Sequence, residues 1–142
     1  MRRDLILRVV AKLLIPFIVM FALYVQFHGD FGPGGGFQAG VILAAAVIFH
    51  ALIYGLADAR KAVPEPLVES MMAIGVLIYA GVGVAGLLLG GHYLDYFVLA
   101  ADSVHGQERG IFWVEVGVAI TVSGVMLKIF YMFADRGRAD ET

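Results

Sequence analysis

Cysteine is absent from the 142-residue sequence, and charged residues make up only 15% of it. Without thiols the chain can form neither disulfides nor thiolate metal sites. The shortage of charge goes with a hydrophobic fraction of 61% and a mean hydropathy of +0.87, both outside the range of soluble domains. The composition therefore predicts an integral membrane protein.

Motifs for enzymatic chemistry are missing as well. No lysine occurs between Lys12 and Lys61, which excludes a phosphate-binding P-loop in the glycine-rich stretch between them. His92 and His105 lack the close spacing of zinc ligands, and no Ser/His/Asp or paired-carboxylate arrangement can be recognised. We therefore expect a protein that is not an enzyme and has no cofactor, no metal centre and no nucleic-acid partner.

Four segments are long and apolar enough to cross the hydrocarbon core, which takes about 20 residues of α-helix. They cover approximately residues 5–27, 36–57, 68–89 and 111–133. Pro64 and Pro66 predict an extended linker at residues 58–67, between the second and third spans. The predicted fold is one all-α membrane domain over residues 1–142, with a short tail at residues 134–142.

Basic residues are distributed unevenly around these spans. Most of them flank the start of the first span, the linker between the second and third, or the end of the fourth: Arg2, Arg3, Arg8, Lys12, Arg60, Lys61, Lys128, Arg136 and Arg138. Arg109 falls on the other side. Because cytoplasmic loops are enriched in Lys and Arg, we expect both termini and the tail in the cytoplasm, and the glycine-rich turn between the first two spans outside.

The densest cluster of glycine lies in that outer turn, at residues 27–40. Pro33 cannot continue a helix that arrives from its N-terminal side, but it suits the first turn of one that follows. Gly36, Gly40 and Ala44 recur every four residues and form a stripe along the second span. Such small-residue stripes let helices approach closely in lipid, so we expect the chain to pack against other membrane subunits.

Six polar residues in or beside the spans are candidates for an ion route or for polar contacts with neighbouring helices: His28, Asp30, Gln38, His50, Glu115 and Lys128. Ionisable groups in a membrane are costly and are functional candidates by default. His50 lies deepest, about 20 Å from the outer end of its span, where it either bonds to a neighbouring helix or relays protons. Glu115 and Lys128 lie about one turn from opposite ends of the fourth span, on opposite sides of the helix. A structural or interfacial role is the simpler interpretation of His50, Glu115 and Lys128, whereas His28 and Asp30 belong to a group of outer residues that could attract cations.

The outer turn also carries a family resemblance. His28-Gly29-Asp30 is followed by Pro33-Gly34-Gly35-Gly36-Phe37-Gln38-Ala39-Gly40. This run resembles the H-G-x…P-G-G-G-F-x-x-G signature of the B subunit of Mrp-type (Mnh, Sha) multisubunit sodium/proton antiporters. The motif positions carried over from the resemblance are Pro33, Gly34, Gly35, Gly36, Phe37 and Gly40. Similar modules also occur in membrane-bound hydrogenases and related complexes.

The resemblance implies a cofactor-free subunit of a large complex in the bacterial or archaeal cytoplasmic membrane, in which proton uptake drives sodium efflux. It implies A-, C-, D-, E-, F- and G-like subunits as partners, with the A- and D-like subunits carrying the main proton path. The B subunit then supplies helix-packing surfaces and helps to form or seal an ion route at subunit interfaces. Two alternatives stay open: a purely structural assembly subunit, or the equivalent module of a hydrogenase or complex I-like redox complex.

Overall fold

The computed structural model describes residues 2–29, 34–100 and 102–139. Regular structure in these ranges is helical throughout, with α1 at Arg2–Phe27, α2 at Gly36–Tyr54, α3 at Leu56–Ala62, α4 at Glu65–Leu88, a 3-10 turn at Tyr96–Leu99 and α5 at Ser103–Ala139. Four of these helices, α1, α2, α4 and α5, are long and apolar enough to cross a membrane. The predicted all-α fold with four spans is therefore confirmed.

The connection between the second and third spans differs from the prediction. Gly55 has φ +101°, a conformation that favours glycine. It ends α2 at Tyr54, and the chain then continues as the short helix α3. Pro64 is the N-cap of α4 and Pro66 lies in its first turn, where a missing N–H leaves no helical bond unmade. The predicted extended linker at residues 58–67 is wrong, because the two prolines start a helix there.

The last helix is longer than the predicted span at residues 111–133. α5 continues through polar sequence at both ends and reaches Ala139, so the residues predicted as a tail are helical as far as they are described. No proline interrupts this stretch. The outer connection is correspondingly shorter, and in it Asp95 accepts a hydrogen bond from Phe97 N at 3.2 Å.

The spanning helices lie side by side in the order α1, α2, α5, α4. α1 runs antiparallel to α2, and Tyr54 Oη donates to the Arg8 carbonyl at 2.5 Å. α2 and α5 run parallel, and Ser123 Oγ donates to the Gly40 carbonyl at 3.0 Å. A buried cluster of apolar side chains holds α2, α4 and α5 together at one end: Ala44, Val68, Leu127 and Tyr131.

The bundle has two chemically different ends. We call the end with Gly29 and Gly34–Gly36 the glycine end, and the end with Arg60, Lys61 and Lys128 the basic end. The start of α1 lies at the basic end, because Arg8 contacts Tyr54 there. The last turns of α5 lie there too, because Asp135 pairs with Arg60.

Candidate functional site

The glycine turn is built around the start of α2. Gly34 has φ +134°, which favours glycine, whereas the N-cap Gly35 is extended and could accommodate any residue on backbone grounds. Gly35 N donates to Gln38 Oε1 at 3.2 Å, so the amide of Gln38 is engaged in its own turn. The sequence suggested a bond from Gln38 to a partner helix, and the structure places its oxygen on the local backbone.

Glu115 of α5 explains why three other positions of the turn are glycine. A Cβ on Gly36 would lie 2.8 Å from the Cα of Glu115 and would overlap its carbonyl oxygen. A Cβ on Gly35 would lie 2.5 Å from Oε1, and one on Gly29 would lie 2.9 Å from Oε2. Real Cβ atoms do not come this close, so the turn leaves room for the Glu115 side chain by lacking side chains of its own.

Glu115 also lies close to one end of α2. The carboxylate lies beside the N-terminus of α2, where the exposed N–H groups carry about half a positive charge. An anion at such a position gains about 0.3–1 kcal/mol. Glu115 is half-buried, so one part of the residue packs against the protein and another part is exposed.

The small-residue stripe of α2 continues this contact. A Cβ on Gly40 would lie 2.7 Å from the Ala119 carbonyl oxygen, and Ala44 packs with Leu127 in the buried cluster. The predicted close approach along the stripe is confirmed, but the helix that approaches is α5 of the same chain. The residues of α5 that meet the stripe have the same four-residue spacing: Glu115, Ala119, Ser123 and Leu127.

Gln26 is a polar residue that the sequence analysis did not single out. Its side chain is only 7% exposed, and neither Nε2 nor Oε1 has a hydrogen-bond partner among the described residues. It precedes Gly29 by three residues, about one helical turn. The signal available in the sequence was a single amide in the apolar part of the first span, after Arg8 and Lys12.

The remaining predicted residues of the turn are distributed around this centre. The ring of His28 stacks on Tyr24 with a centroid distance of 5.0 Å, and Phe37 is exposed. The ring of Phe27 stacks on that of Phe112 with a centroid distance of 5.8 Å, which brings the end of α1 into contact with α5. Asp30 and Pro33 lie outside the described residues.

His50 lies apart from the glycine turn, on the side of α2 that faces α1. Its ring stacks on Tyr54 with a centroid distance of 4.7 Å. It lines a cavity of about 150 Å³ with Ile15 and Val19 and a second of about 330 Å³ with Lys12. His50 is therefore half-buried in a largely apolar seam.

Lys128 belongs to a network of ion pairs at the basic end. Its Nζ lies 2.6 Å from Glu69 and 3.8 Å from Glu65. Glu65 also accepts from Arg60 at 3.1 Å, and Arg60 reaches Asp135 at 2.5 Å. The network connects α3, α4 and α5, so Lys128 has specific acidic partners and does not simply extend towards the membrane surface.

Tyr131 is a buried residue that packs against that network. It is only 1% exposed, its hydroxyl donates to the Val63 carbonyl at 2.9 Å, and the Arg60 guanidinium lies 5.3 Å from its ring centroid. The hydrogen bond to Asp135 raises the pKa of Arg60 above its ordinary value. Ion pairs and a hydrogen bond thus hold α3, α4 and α5 together at the basic end.

Asp58 forms a separate pair with Lys61 at 2.9 Å. The hydrogen bond and charge of Lys61 lower the pKa of the Asp58 carboxyl below its ordinary value of 3.8. A carboxyl with a lowered pKa stabilises the fold above its ordinary value and loses that contribution as the pH falls through the shifted value. The Asp58 carboxyl is therefore ionised at neutral pH, as the pair with Lys61 requires.

Taken together, the structure brings Glu115 to Gly29, Gly35 and Gly36 and leaves His50 and Lys128 at separate places. Within the ranges that the structure describes, no group of three His, Cys, Asp or Glu residues could hold a metal ion. The candidate site is therefore the carboxylate of Glu115 in the glycine turn, with the buried amide of Gln26 nearby.

This architecture defines a small multi-pass membrane protein with one carboxylate site near the glycine end. The family model described as "Domain related to MnhB subunit of Na+/H+ antiporter" matches residues 6–128. The chain belongs to this MnhB family.

Individual relatives agree with the family match. The chain is 31% identical over 129 residues to the B subunit of the Na(+)/H(+) antiporter of Alkalihalophilus pseudofirmus, covering 84% of this chain and 89% of the relative. It is 29% identical over 132 residues to a Staphylococcus haemolyticus protein provisionally named antiporter subunit mnhB2, covering 89% and 91%. A protein of the same name from Staphylococcus aureus strain Newman is 27% identical over 131 residues, again covering 89% and 91%.

Proposed function

We propose that this chain is the B subunit of a multisubunit Na+/H+ antiporter and has neither enzymatic activity nor a cofactor of its own. The family match over residues 6–128 and the similarity to the Alkalihalophilus pseudofirmus antiporter protein support this function. The proposed partners are A-, C-, D-, E-, F- and G-like subunits and the lipid bilayer, and the ions carried by the complex are Na+ and H+.

The proposed location is the cytoplasmic membrane of a bacterium or archaeon, with the basic end inside and the glycine end outside. Arg60, Lys61 and Lys128 lie together at the basic end, and cytoplasmic segments are the ones enriched in basic residues. The contacts of Arg8 and Asp135 at the same end support N- and C-termini on the cytoplasmic side.

The observation that carries a role in transport is the Glu115 carboxylate in the glycine turn. An ionisable group in a spanning helix is retained at a cost and marks an ion pathway by default. An apolar residue at this position would be less costly than an acid, yet the turn is shaped around that acid by Gly29, Gly35 and Gly36. We propose that Glu115 contributes to the outer part of an ion route that continues in neighbouring subunits.

The test uses the assembled complex. Glu115→Gln keeps the shape of the side chain and removes its charge, so we expect a complex of normal composition. Its Na+-dependent proton transport in membrane vesicles should fall at least about tenfold, which corresponds to the loss of one interaction of about 1.4 kcal/mol. Glu108→Gln is the matched control, because Glu108 is an exposed glutamate on the same helix. It should leave transport unchanged.

Unchanged transport in an intact Glu115→Gln complex would instead identify a purely structural assembly subunit. His50→Gln and Lys128→Gln complete the comparison. The apolar seam around His50 and the ion pairs of Lys128 favour structural roles for both, so we expect them to alter stability more than transport. Subunits with metal clusters among the co-purifying proteins would place the chain in a hydrogenase-like complex and contradict the antiporter assignment.

A further inference from the structure

The amide of Gln26 is the most unusual polar group in the described chain. It is more than nine-tenths buried, and both of its hydrogen-bonding atoms are unpartnered among the residues that the structure describes. Burying an amide in this state is costly, and buried polar groups are nearly always satisfied by a partner, a water molecule or an ion. Gln26 therefore points to a ligand.

The position of Gln26 relates it to the Glu115 carboxylate. Gln26 lies in the last turn of α1, on the same helical face as Ala22, which is fully buried. Gly29 follows it by three residues, just beyond the end of the helix. A Cβ on Gly29 would lie 2.9 Å from Glu115 Oε2 and 3.0 Å from the Gly34 carbonyl oxygen. The backbone bond from His28 N to the Tyr24 carbonyl at 3.0 Å continues the helical turn past Phe27. Residues three apart in such a turn lie about 5–6 Å from each other, so the Gln26 side chain starts about one turn from the position that both oxygens approach.

The oxygen atoms that converge here are hard ligands. A carboxylate, an amide oxygen and a backbone carbonyl are the groups that bind alkali and alkaline-earth cations. Among the residues that the structure describes here, Glu115 contributes one negative charge and the N-terminus of α2 about half a positive charge, a balance that favours a monovalent ion. The net attraction between these groups and a cation is therefore weak. A weak site suits transport, because a transported ion must leave as readily as it enters.

We propose that Gln26 Oε1, the Glu115 carboxylate and the Gly34 carbonyl oxygen form a binding site for a monovalent cation of the Na+ type at the glycine end. This inference rests on the proposed antiporter function and adds to it the ligand of the Glu115 site and the residue Gln26. Gln26 supplies a neutral oxygen that replaces water around the ion, and Glu115 supplies the charge.

The experiment measures the Na+ concentration that gives half-maximal antiport in vesicles containing the assembled complex. Gln26→Met removes the amide oxygen and keeps an unbranched side chain that can fill the buried space. We expect the half-saturating Na+ concentration to rise about tenfold while the rate at saturating Na+ is retained. Gln107→Leu is the control, since Gln107 lies in the first turns of α5, about two helical turns before Glu115. It should leave the half-saturating concentration unchanged.

A second variant keeps the inference testable if Gln26→Met prevents assembly. Gln26→Glu adds a second carboxylate and should lower the half-saturating Na+ concentration at alkaline pH, where both acids are ionised. Unchanged Na+ dependence in an assembled complex of either variant would overturn the inference, as would a change confined to the dependence on proton concentration. A wild-type complex without Na+-driven exchange would contradict the proposed function itself, which separates the two failures.

Discussion

At the scale of single residues, the glycines of this chain differ in what surrounds them. Gly35, Gly36 and Gly40 face α5 at distances that leave no room for a side chain, whereas Gly81 has nothing within 4 Å of an added Cβ. Composition alone presents both kinds as one small-residue surface. The difference arises from which helix faces the stripe, and that depends on the tertiary arrangement.

Gly36→Ala should destabilise the contact between α2 and α5, because the new methyl group would overlap the backbone of Glu115 and force the helices apart. Overpacking of this kind costs about 1–3 kcal/mol. We expect a lower temperature of dissociation for the purified complex, followed by size-exclusion chromatography after heating.

Gly81→Ala is the matched comparison for that experiment. Its methyl group enters open space in the interior of a helix, where alanine is favoured over glycine by about 0.5–1 kcal/mol. Equal losses of stability in the two variants would contradict the assignment of Gly36 to the helix contact.

Ser123→Ala tests the polar contact within the same seam. The buried Ser123 hydroxyl bonds to the Gly40 carbonyl at 3.0 Å and to the Ala119 carbonyl at 2.7 Å. Interhelical hydrogen bonds in membranes contribute about 0.6 kcal/mol on average, so we expect a small but measurable fall in thermal stability. Ser70→Ala, which removes an exposed bond to Pro66 within α4, should have a smaller effect.

At the scale of the elements, hydropathy located the spans well and their ends less well. The first span was predicted at residues 5–27 and is found at Leu5–Phe27, because its limits are changes of composition. The end of the second span and the start of the third are set instead by backbone geometry, at Gly55 and Pro66. Proline and glycine are compatible with either a linker or a helix end, and the sequence alone did not distinguish them.

Gly55→Ala tests the break between α2 and α3. No atom lies within 4 Å of an added Cβ, but φ is +101°, so any destabilisation comes from backbone strain, about 1–2 kcal/mol. We expect a loss of thermal stability in the purified complex. Since Gly81→Ala adds the same methyl group to equally open space without that strain, the two variants should change stability in opposite directions.

The candidate site was only partly predictable at this scale. The sequence indicated Glu115 and the glycine motif separately, because an acid in an apolar span and a dense glycine run are both local signals. It could not join them, since no local pattern shows that α2 and α5 run parallel and in contact. Gln26 was missed because its burial depends on how α1 packs against the other helices, which no local pattern shows.

At the scale of the whole molecule, the small-residue stripes hold the chain's own helices together. The sequence assigned those stripes to partner subunits, yet Gly40 and Gly75 are covered by α5. The side chains left for lipid or partners are large and apolar, as on α1, where Leu13, Phe17 and Met20 are all more than half exposed. Contacts with other subunits are therefore expected to involve bulky side chains.

Arg60→Gln tests whether the basic end holds the bundle together. Arg60 connects α3 to Glu65 and Asp135 and covers Tyr131, so the variant should lower thermal stability measurably. Lys61→Gln removes a pair with Asp58 whose partners are 78% and 53% exposed, and exposed pairs contribute little. A larger effect from Lys61→Gln than from Arg60→Gln would contradict this account.

The side-by-side order of α1, α2, α5 and α4 has a geometric consequence for any assembly that contains the chain. A row of helices in this order has a thickness of about one helix diameter, roughly 10–12 Å, and large apolar side chains are exposed on all four of its helices. Two neighbours docked on opposite sides would thus be separated by a single layer of backbone. Such a layer is thin enough for groups on both neighbours to sense the same buried charge.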